Sequence, residues 1–506
     1  MLYSQRTFQI VSRIETVLEK EWVLFSLSIY IKDTRMSIGT QDQPLSSAEP
    51  MKIADALIRE TFKTPSGKRG LWSFRGDFYH WYGDVWTRRD TEWVEDLCWR
   101  ELEDAYYQEI GQDGMPRMRR VAPNKQKIDN IIRGLAARVR IPHSNIPMWL
   151  TDPVSKPSMN TGSMISFQDL LFDARTGDVY ERNEDWFDPI ILPVNFVDGS
   201  PCPRWMKCLD EWSNGDEEWI ELLQRWMGYC LMNHRRYARW LLMYGKVRSG
   251  KGTIGKILQT LLGRDAFMNS SLDDLSSDFG LDGLEHSRVL CISEVSELTG
   301  KEGERATRVL KNIIGQDPLT VNVKFKRQMR NVVVNAAPIV QANEIPQLPN
   351  KGRGLSSKML VLPFDVSFEG KEDIYLIDTL TDELEGIAAW AVEGAVKLEN
   401  CKMKFPVPDR AKDTMQMYHL QNNPFDYFLE ERFIKSEGGF VATDLLWLQW
   451  NDWLKKNEIK KLHVARNQLT IKIETQSSWQ VNRHRPHGGK RGLKGLSLRK
   501  SFEDLC

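Results

Sequence analysis

The apolar run Trp240 to Tyr244 leads directly into Gly245-Lys246-Val247-Arg248-Ser249-Gly250-Lys251-Gly252-Thr253, and that loop leads into the helical run Ile254 to Leu262. Strand, glycine loop and helix in this order commit the surrounding chain to an α/β layout, because the loop must sit where a sheet strand hands over to a helix N-terminus. The physical logic is anion capture. Consecutive backbone N–H groups and the helix N-terminus surround a β-phosphate, glycines let the backbone approach it, and Lys251 neutralises the β/γ charge. Residues 245–253 are therefore candidate ATP-binding residues. The usual pattern has Ser or Thr directly after the lysine; here Gly252 intervenes, and Thr253 is the candidate magnesium ligand.

Further apolar runs of strand length occur at Arg288 to Ile292, Asn331 to Gln341 and Met359 to Phe364, separated by helical stretches. That alternation predicts a parallel sheet covered on both faces. Hydrolysis needs a carboxylate to orient water and a polar group near the γ-phosphate, both at the ends of strands neighbouring the loop. The run Val289 to Ile292 ends in Ser293-Glu294, so Glu294 is the candidate general base and a second magnesium contact, with Glu297 as its alternative. Because Ser293 stands where an aspartate often helps to hold the metal, Mg2+ would rest mainly on Thr253, phosphates and water. The strand Pro338 to Ala342 ends in Asn343, which is suited to bond the attacking water or the γ-phosphate.

Gly250-Lys251-Gly252-Thr253, Ile292-Ser293-Glu294, residues 310–318 (LKNIIGQDP) and Ala342-Asn343-Glu344-Ile345-Pro346 together resemble the superfamily 3 helicase domain of phage and plasmid primase-helicases. The resemblance extends outward. Ile165-Ser166-Phe167, Arg175-Thr176-Gly177, Cys202-Pro203-Arg204-Trp205 and Met227-Gly228-Tyr229 look like the domain that precedes the helicase, and residues 385–390 with Gly394 look like its closing helix. It covers roughly residues 55 to 400. It implies an AAA+-type ring, usually a hexamer, that hydrolyses ATP at subunit interfaces and draws one DNA strand through its centre. Such a ring takes an arginine from the neighbouring subunit. The family's position, just ahead of the last strand, is Lys358 here, and Arg353 five residues earlier is the candidate catalytic finger.

Two basic elements are candidate DNA contacts. Thr320 to Arg330 alternates into a basic tip and returns as a strand, a hairpin whose Lys324, Lys326, Arg327 and Arg330, with Phe325 among them, suit phosphate tracking and base stacking. The resemblance implies that this hairpin lines the pore. Farther on, no acid occurs between Glu474 and Glu503, while Arg483, Arg485, Lys490 and Arg491 gather around Gly488-Gly489. Helices at Pro424 to Phe433, Thr443 to Lys455 and Val464 to Thr475, followed by this Gly- and Arg-rich stretch, fit a winged helix that reads duplex DNA.

The chain of 506 residues carries 69 basic and 69 acidic residues, so DNA contact depends on such local patches and not on a global field. Its seven scattered cysteines lack zinc-site spacing and read as free thiols in a reducing cytosol, that of the host if the gene is a phage's. Trp22 to Ile31 is too short to span a bilayer, and no membrane partner is expected. The expected organisation is an N-terminal segment and linker (1–50), a preceding α+β domain (51–235), an AAA+-like P-loop ATPase with a parallel sheet (236–405) and a winged-helix-like domain (406–506). Within the second, a hairpin is expected over Leu71 to Trp86, a helix over Gln126 to Val139 and a strand pair over Ile165 to Tyr180. Too few residues precede the resembling region for a primase-polymerase, so primer synthesis is expected from a separate primase or polymerase. Three activities fit these features: an ATP-dependent DNA helicase, an origin-binding initiator that uses ATP only to assemble, and a P-loop nucleotide kinase, which leaves both basic elements unexplained.

Overall fold

The computed structural model describes residues 38–141, 146–150, 161–294, 300–322, 329–346, 348, 354–402, 404–422, 424–457, 459, 462 and 464–499. The chain divides into two compact units between Asn145 and Ile146.

In the first unit, helices Pro50–Glu60 and Lys125–Arg138 pack through Ile53, Leu57, Ile128, Ile131 and Leu135, all fully buried. The second helix begins at Asn124, whose side chain accepts from Lys127 N, and so matches the expected helix to within a residue. The expected hairpin is a three-stranded antiparallel sheet, Leu71–Phe74, Asp77–Tyr82 and Val85–Arg89. Its additional turn falls at Arg75-Gly76, where both φ angles are positive (53° and 90°), as they are at Gly83-Asp84 (57° and 63°). Two consecutive left-handed residues make the tight turn that suits the twist of a hairpin, and an arginine in the first place hides it in the sequence.

The second unit is built on a five-stranded sheet in the order Phe267–Ser271, Val289–Glu294, Ala337–Ala342, Trp240–Gly245, Met359–Phe364, every adjacent pair parallel. Both faces are apolar and alternate by residue. Leu241, Met243, Cys291, Ile339 and Leu362 join one core, and Trp240, Leu242, Leu290, Val340 and Val361 join another. The first core also takes in residues from Ile165 to Leu231, the helix Lys251–Leu262 and the helix Leu384–Asn400. The segment preceding the loop strand therefore shares one core with the sheet.

Two close contacts hold that segment in place. Helices Glu217–Leu231 and Leu384–Asn400 cross at Gly228 and Gly394; a Cβ on Gly228 would lie 2.2 Å from Ala395 N, and one on Gly394 2.0 Å from Gln224 O. Backbones this near admit only glycine. At the start of the strand Val289–Glu294, buried Arg288 donates to both oxygens of buried Asp188 (2.9 and 3.1 Å), which also accepts from Ser166 Oγ (2.7 Å) and Ile190 N (3.0 Å). With its lone pairs occupied, the carboxylate tolerates burial, and removing either partner of such a pair costs about 3–5 kcal/mol.

The strands depart from expectation in two places. The strand that ends at Glu294 is not the neighbour of the loop strand, because Ala337–Ala342 lies between them. The run Asn331 to Gln341 is two strands: Met329–Val332 pairs antiparallel with Leu319–Val321, while Ala337–Ala342 enters the sheet. Continuous hydrophobicity concealed the break, because residues 333–336 still supply buried Val334 and Ala336 to the second core.

The tail runs helix Pro424–Arg432, strand Phe433–Ala442, helix Thr443–Lys456, helix Arg466–Gln476 and strands Asn482–His484 and Gly492–Leu498, with Gly492–Leu498 in the middle of a three-stranded sheet. The three helices fall within two residues of their expected bounds. The strand Phe433–Ala442 was not expected, since Ser436-Glu437-Gly438-Gly439 interrupts its alternation; the register shifts between Lys435 and Phe440. Among the described residues no helix is long and apolar enough to cross a membrane.

Candidate functional site

The chain leaves the strand Trp240–Gly245, fourth of the five, for the far edge of the sheet, works back inward, and places its last strand on the other side. The order therefore reverses at this strand, and the crevice beyond the carboxyl ends of an open parallel sheet at such a point is where ligands bind. The loop 246–250 fills that position. Gly245 has φ of 144°, and a Cβ there would lie 2.0 Å from Phe364 O; the next residue, Lys246, donates its N–H to that same carbonyl at 2.9 Å. Gly250 has φ of 98° and rests on Trp212, 2.6 Å from where a Cβ would be. Arg248 between them is also left-handed, at φ of 53°. A second segment braces the loop from outside: Ser367 Oγ donates to Val247 O (2.9 Å), Phe368 N to Arg248 O (2.9 Å), and Glu372 pairs with Arg248 at 3.0 Å.

Lys251 opens the helix Lys251–Leu262, whose first turn contains no acid. Its buried ammonium donates to Gly245 O (2.9 Å), Lys246 O (2.6 Å) and Ser249 Oγ (3.2 Å), and burial pulls its pKa down to about 8. The lysine thus folds back on carbonyls and a hydroxyl of its own loop, the kind of oxygen acceptor that a phosphate also presents.

A cavity of about 370 Å³ lies over the helix N-terminus, lined by residues 247–253, Lys256, Ser293, Gln341, Asn343 and Ile377. Lys251, Thr253 and Asn343, chosen from sequence, come together around it with the residue that precedes Glu294. Gly252, the departure from the usual pattern, also lines it, and a Cβ there would meet nothing within 4 Å. Glu294 ends its strand one position beyond Ser293. Among the described residues no group of three His, Cys, Asp or Glu stands ready to hold a metal ion.

Trp212, Phe364, Gln341, Ile377 and the 367–372 segment escaped sequence reasoning. Only Gln341 left a trace, as a lone amide in an otherwise apolar strand; its Nε2 donates to Lys251 O at 3.3 Å. The others reach the loop through tertiary packing from distant parts of the chain.

Lys358 ends a short 3-10 turn ahead of Met359–Phe364, at the amino end of the sheet and so opposite the loop. Arg353 and Glu297 lie outside the described residues, as do Lys324, Lys326 and Arg327. Arg330 lies on the returning strand of the hairpin Leu319–Val321 and Met329–Val332.

In the tail, Arg483, Arg485, Lys490 and Arg491 line a cleft of about 940 Å³ between the helix Arg466–Gln476 and the final hairpin. Not all of this positive charge is unopposed. Lys490 pairs with Asp444 at 3.0 Å, Arg466 pairs with the same carboxylate, and Arg483 pairs with Glu474 at 2.5 Å. The six described cysteines are free thiols, five of them buried.

Residues 243–354 match a family of unknown function (DUF5906), a stretch running from the loop strand past Asn343. Over 129 residues the chain is 23% identical to an uncharacterized mitochondrial protein, ymf21, of Marchantia polymorpha, spanning 23% of this chain and 72% of that one. Among solved structures it is similar to an apo form of the NrS-1 C-terminal region, with 12% identity and a TM-score of 0.47 over 84% of this chain and 96% of that chain. A second apo structure of that region has 14% identity and a TM-score of 0.45 over 80% and 99% of the two chains. These identities are too low for any residue's role to carry across.

Proposed function

We propose that this protein is an ATP-dependent DNA helicase of the superfamily 3 kind: an AAA+-like P-loop ATPase that assembles as a ring, in keeping a homo-hexamer, and translocates on single-stranded DNA during phage- or plasmid-type replication. The observation that carries this reading is the cavity at the sheet's switch point, bordered by Lys251, Thr253, Ser293 and Asn343. A triphosphate suits these surroundings. The loop N–H groups and the acid-free helix N-terminus receive the β-phosphate, and Lys251 exchanges its loop acceptors for β- and γ-phosphate oxygens. Thr253 and Glu294 would hold magnesium, which when bound neutralises charge between the β- and γ-phosphates.

In the chemical step Glu294 takes a proton from water as the water oxygen attacks the γ-phosphorus, and the bond to the β–γ bridging oxygen breaks to release ADP. Asn343 orients the water or the γ-phosphate. Arg353, or Lys358 in its place, reaches the site of a neighbouring subunit. For Lys358 a role in trans agrees with its position at the opposite end of its own sheet. The hairpin 319–332 supplies Lys324, Lys326, Arg327 and Arg330 to the strand in the ring. The tail, with the helix and strand order of a winged helix, supplies Arg483, Arg485, Lys490 and Arg491 to duplex DNA. The setting is a cytoplasm, with primers supplied by a separate primase or polymerase.

The tail cleft favours a second reading, an origin-binding initiator that melts DNA without travelling. Unwinding of a forked duplex under ATP separates the two. A helicase displaces the strand at a rate that follows ATP turnover, and absence of displacement alongside DNA-stimulated ATP hydrolysis would leave the initiator. The ring predicts that mixing inactive Arg353→Ala with inactive Glu294→Gln restores activity, because some interfaces then combine one intact half from each. ATP turnover indifferent to DNA would reject both readings and return the nucleotide kinase.

A further inference from the structure

The cleft between the helix Arg466–Gln476 and the final hairpin is an unusual surface for tracking phosphates, because two carboxylates stand among its five cations. Asp444 bridges its two walls, with Arg466 of the helix on Oδ1 and Lys490 of the hairpin tip 3.0 Å from Oδ2. Glu474, on the next turns of the same helix, accepts from Arg483 twice, from its backbone N–H at 3.0 Å and from its guanidinium at 2.5 Å. Hydrogen bonds from Lys490 and Arg466 hold the Asp444 carboxyl below its ordinary pKa, and those from Arg483 do the same for Glu474, so both carboxylates favour their ionised form in the DNA-free cleft. Three of the five cations are therefore already paired before any phosphate arrives.

We propose that Asp444 and Glu474 are specificity-determining residues of a duplex-DNA cleft, competing with backbone phosphates for Arg466, Lys490 and Arg483 and so keeping affinity for random sequence low. The proposal rests on the reading of the tail as a duplex binder. A phosphate that enters must displace a carboxylate and then lie close to it, which cancels most of the sequence-independent attraction. Side-chain exposures from 23% to 74% mean that each pair is screened by water, so displacement is cheap enough to occur where other contacts add to it. Base edges supply such contacts. Asn467 and Ile471 stand exposed on the cleft side of the helix, an amide suited to adenine and an apolar group suited to a thymine methyl. The arrangement exchanges raw affinity for a larger difference between a matching site and any other.

The test is equilibrium binding of the full chain to a short duplex of random sequence, followed by fluorescence anisotropy across a salt series. Asp444→Asn releases two cations and Glu474→Gln one. Each substitution nonetheless removes a single negative charge and leaves one more cation uncompensated, so the slope of log affinity against log salt should steepen by about one unit in either variant, each newly engaged phosphate adding about one. Random-sequence affinity at low salt should rise by about tenfold or more in Asp444→Asn. If Asp444→Asn loses its fold, Glu474→Gln alone decides, through its single unit of slope. Unchanged or weaker random-sequence binding in a folded variant overturns the proposal while leaving the tail a duplex binder. If neither the wild type nor the variants bind duplex at any salt, the reading of the tail fails and the proposal falls with it.

Discussion

Raising the pH should loosen nucleotide binding through Lys251. Burial lowers this lysine's pKa to about 8, so in the free protein it loses its charge at a pH where an exposed lysine would keep it. Phosphate oxygens favour the charged form, and the pKa in the complex therefore lies above that of the free protein. The sign follows from linkage: affinity is fully present below the free-protein value and falls as the pH rises through it, because binding must then take up a proton. Between about pH 7 and about pH 9 the charged fraction of a group with a pKa of about 8 drops about tenfold, and the affinity should drop with it, by about 1.4 kcal/mol. The assay is equilibrium titration with a non-hydrolysable ATP analogue and magnesium, run in buffers of different ionisation heat so that proton uptake is read directly. Lys251→Arg, whose guanidinium stays charged throughout, should bind with an affinity indifferent to pH over this range. Wild-type affinity that stays level, or an equal fall in Lys251→Arg, would refute the role of the buried ammonium.

Glu294→Gln should bind ATP near the wild-type affinity yet turn it over about 10²–10⁴-fold more slowly, as single-turnover hydrolysis would show; near-normal turnover passes the role of base to Glu297. Gly394→Ala places a methyl 2.0 Å from Gln224 O at the crossing of two helices and should lower stability by about 1–3 kcal/mol or more, read as a lower unfolding midpoint in denaturant. Replacing Lys324 and Lys326 with Ala should abolish fork unwinding and DNA-stimulated ATP turnover while sparing duplex binding, whereas replacing Arg483, Arg485 and Arg491 should do the reverse. A hairpin variant that unwinds at the normal rate removes the hairpin as the grip on DNA.

The sequence by itself determined the parallel α/β sheet and the loop at the end of its strand, and it singled out Lys251, Thr253 and Asn343, which line one cavity, because each is a local matter. Apolar runs of strand length report burial on both faces, and a glycine loop between strand and helix reports where the backbone must bend. The tail helices were legible for the same reason, since their period and their flanking breaks lie within a few residues of one another. Which strand stands beside which was not local. That Ala337–Ala342 separates the Glu294 strand from the loop strand depends on the order in which crossovers lay strands down, and several orders suit the same apolar runs. Trp212 beneath Gly250, the Phe364 carbonyl on Lys246 and the 367–372 brace on the loop join residues far apart in the chain, where no spacing links them. Charge misled most plainly in the tail. An acid-free stretch looked uniformly basic, yet folding returns Asp444 and Glu474 to it from outside that stretch, since ion pairs are chosen by distance in space and not along the chain.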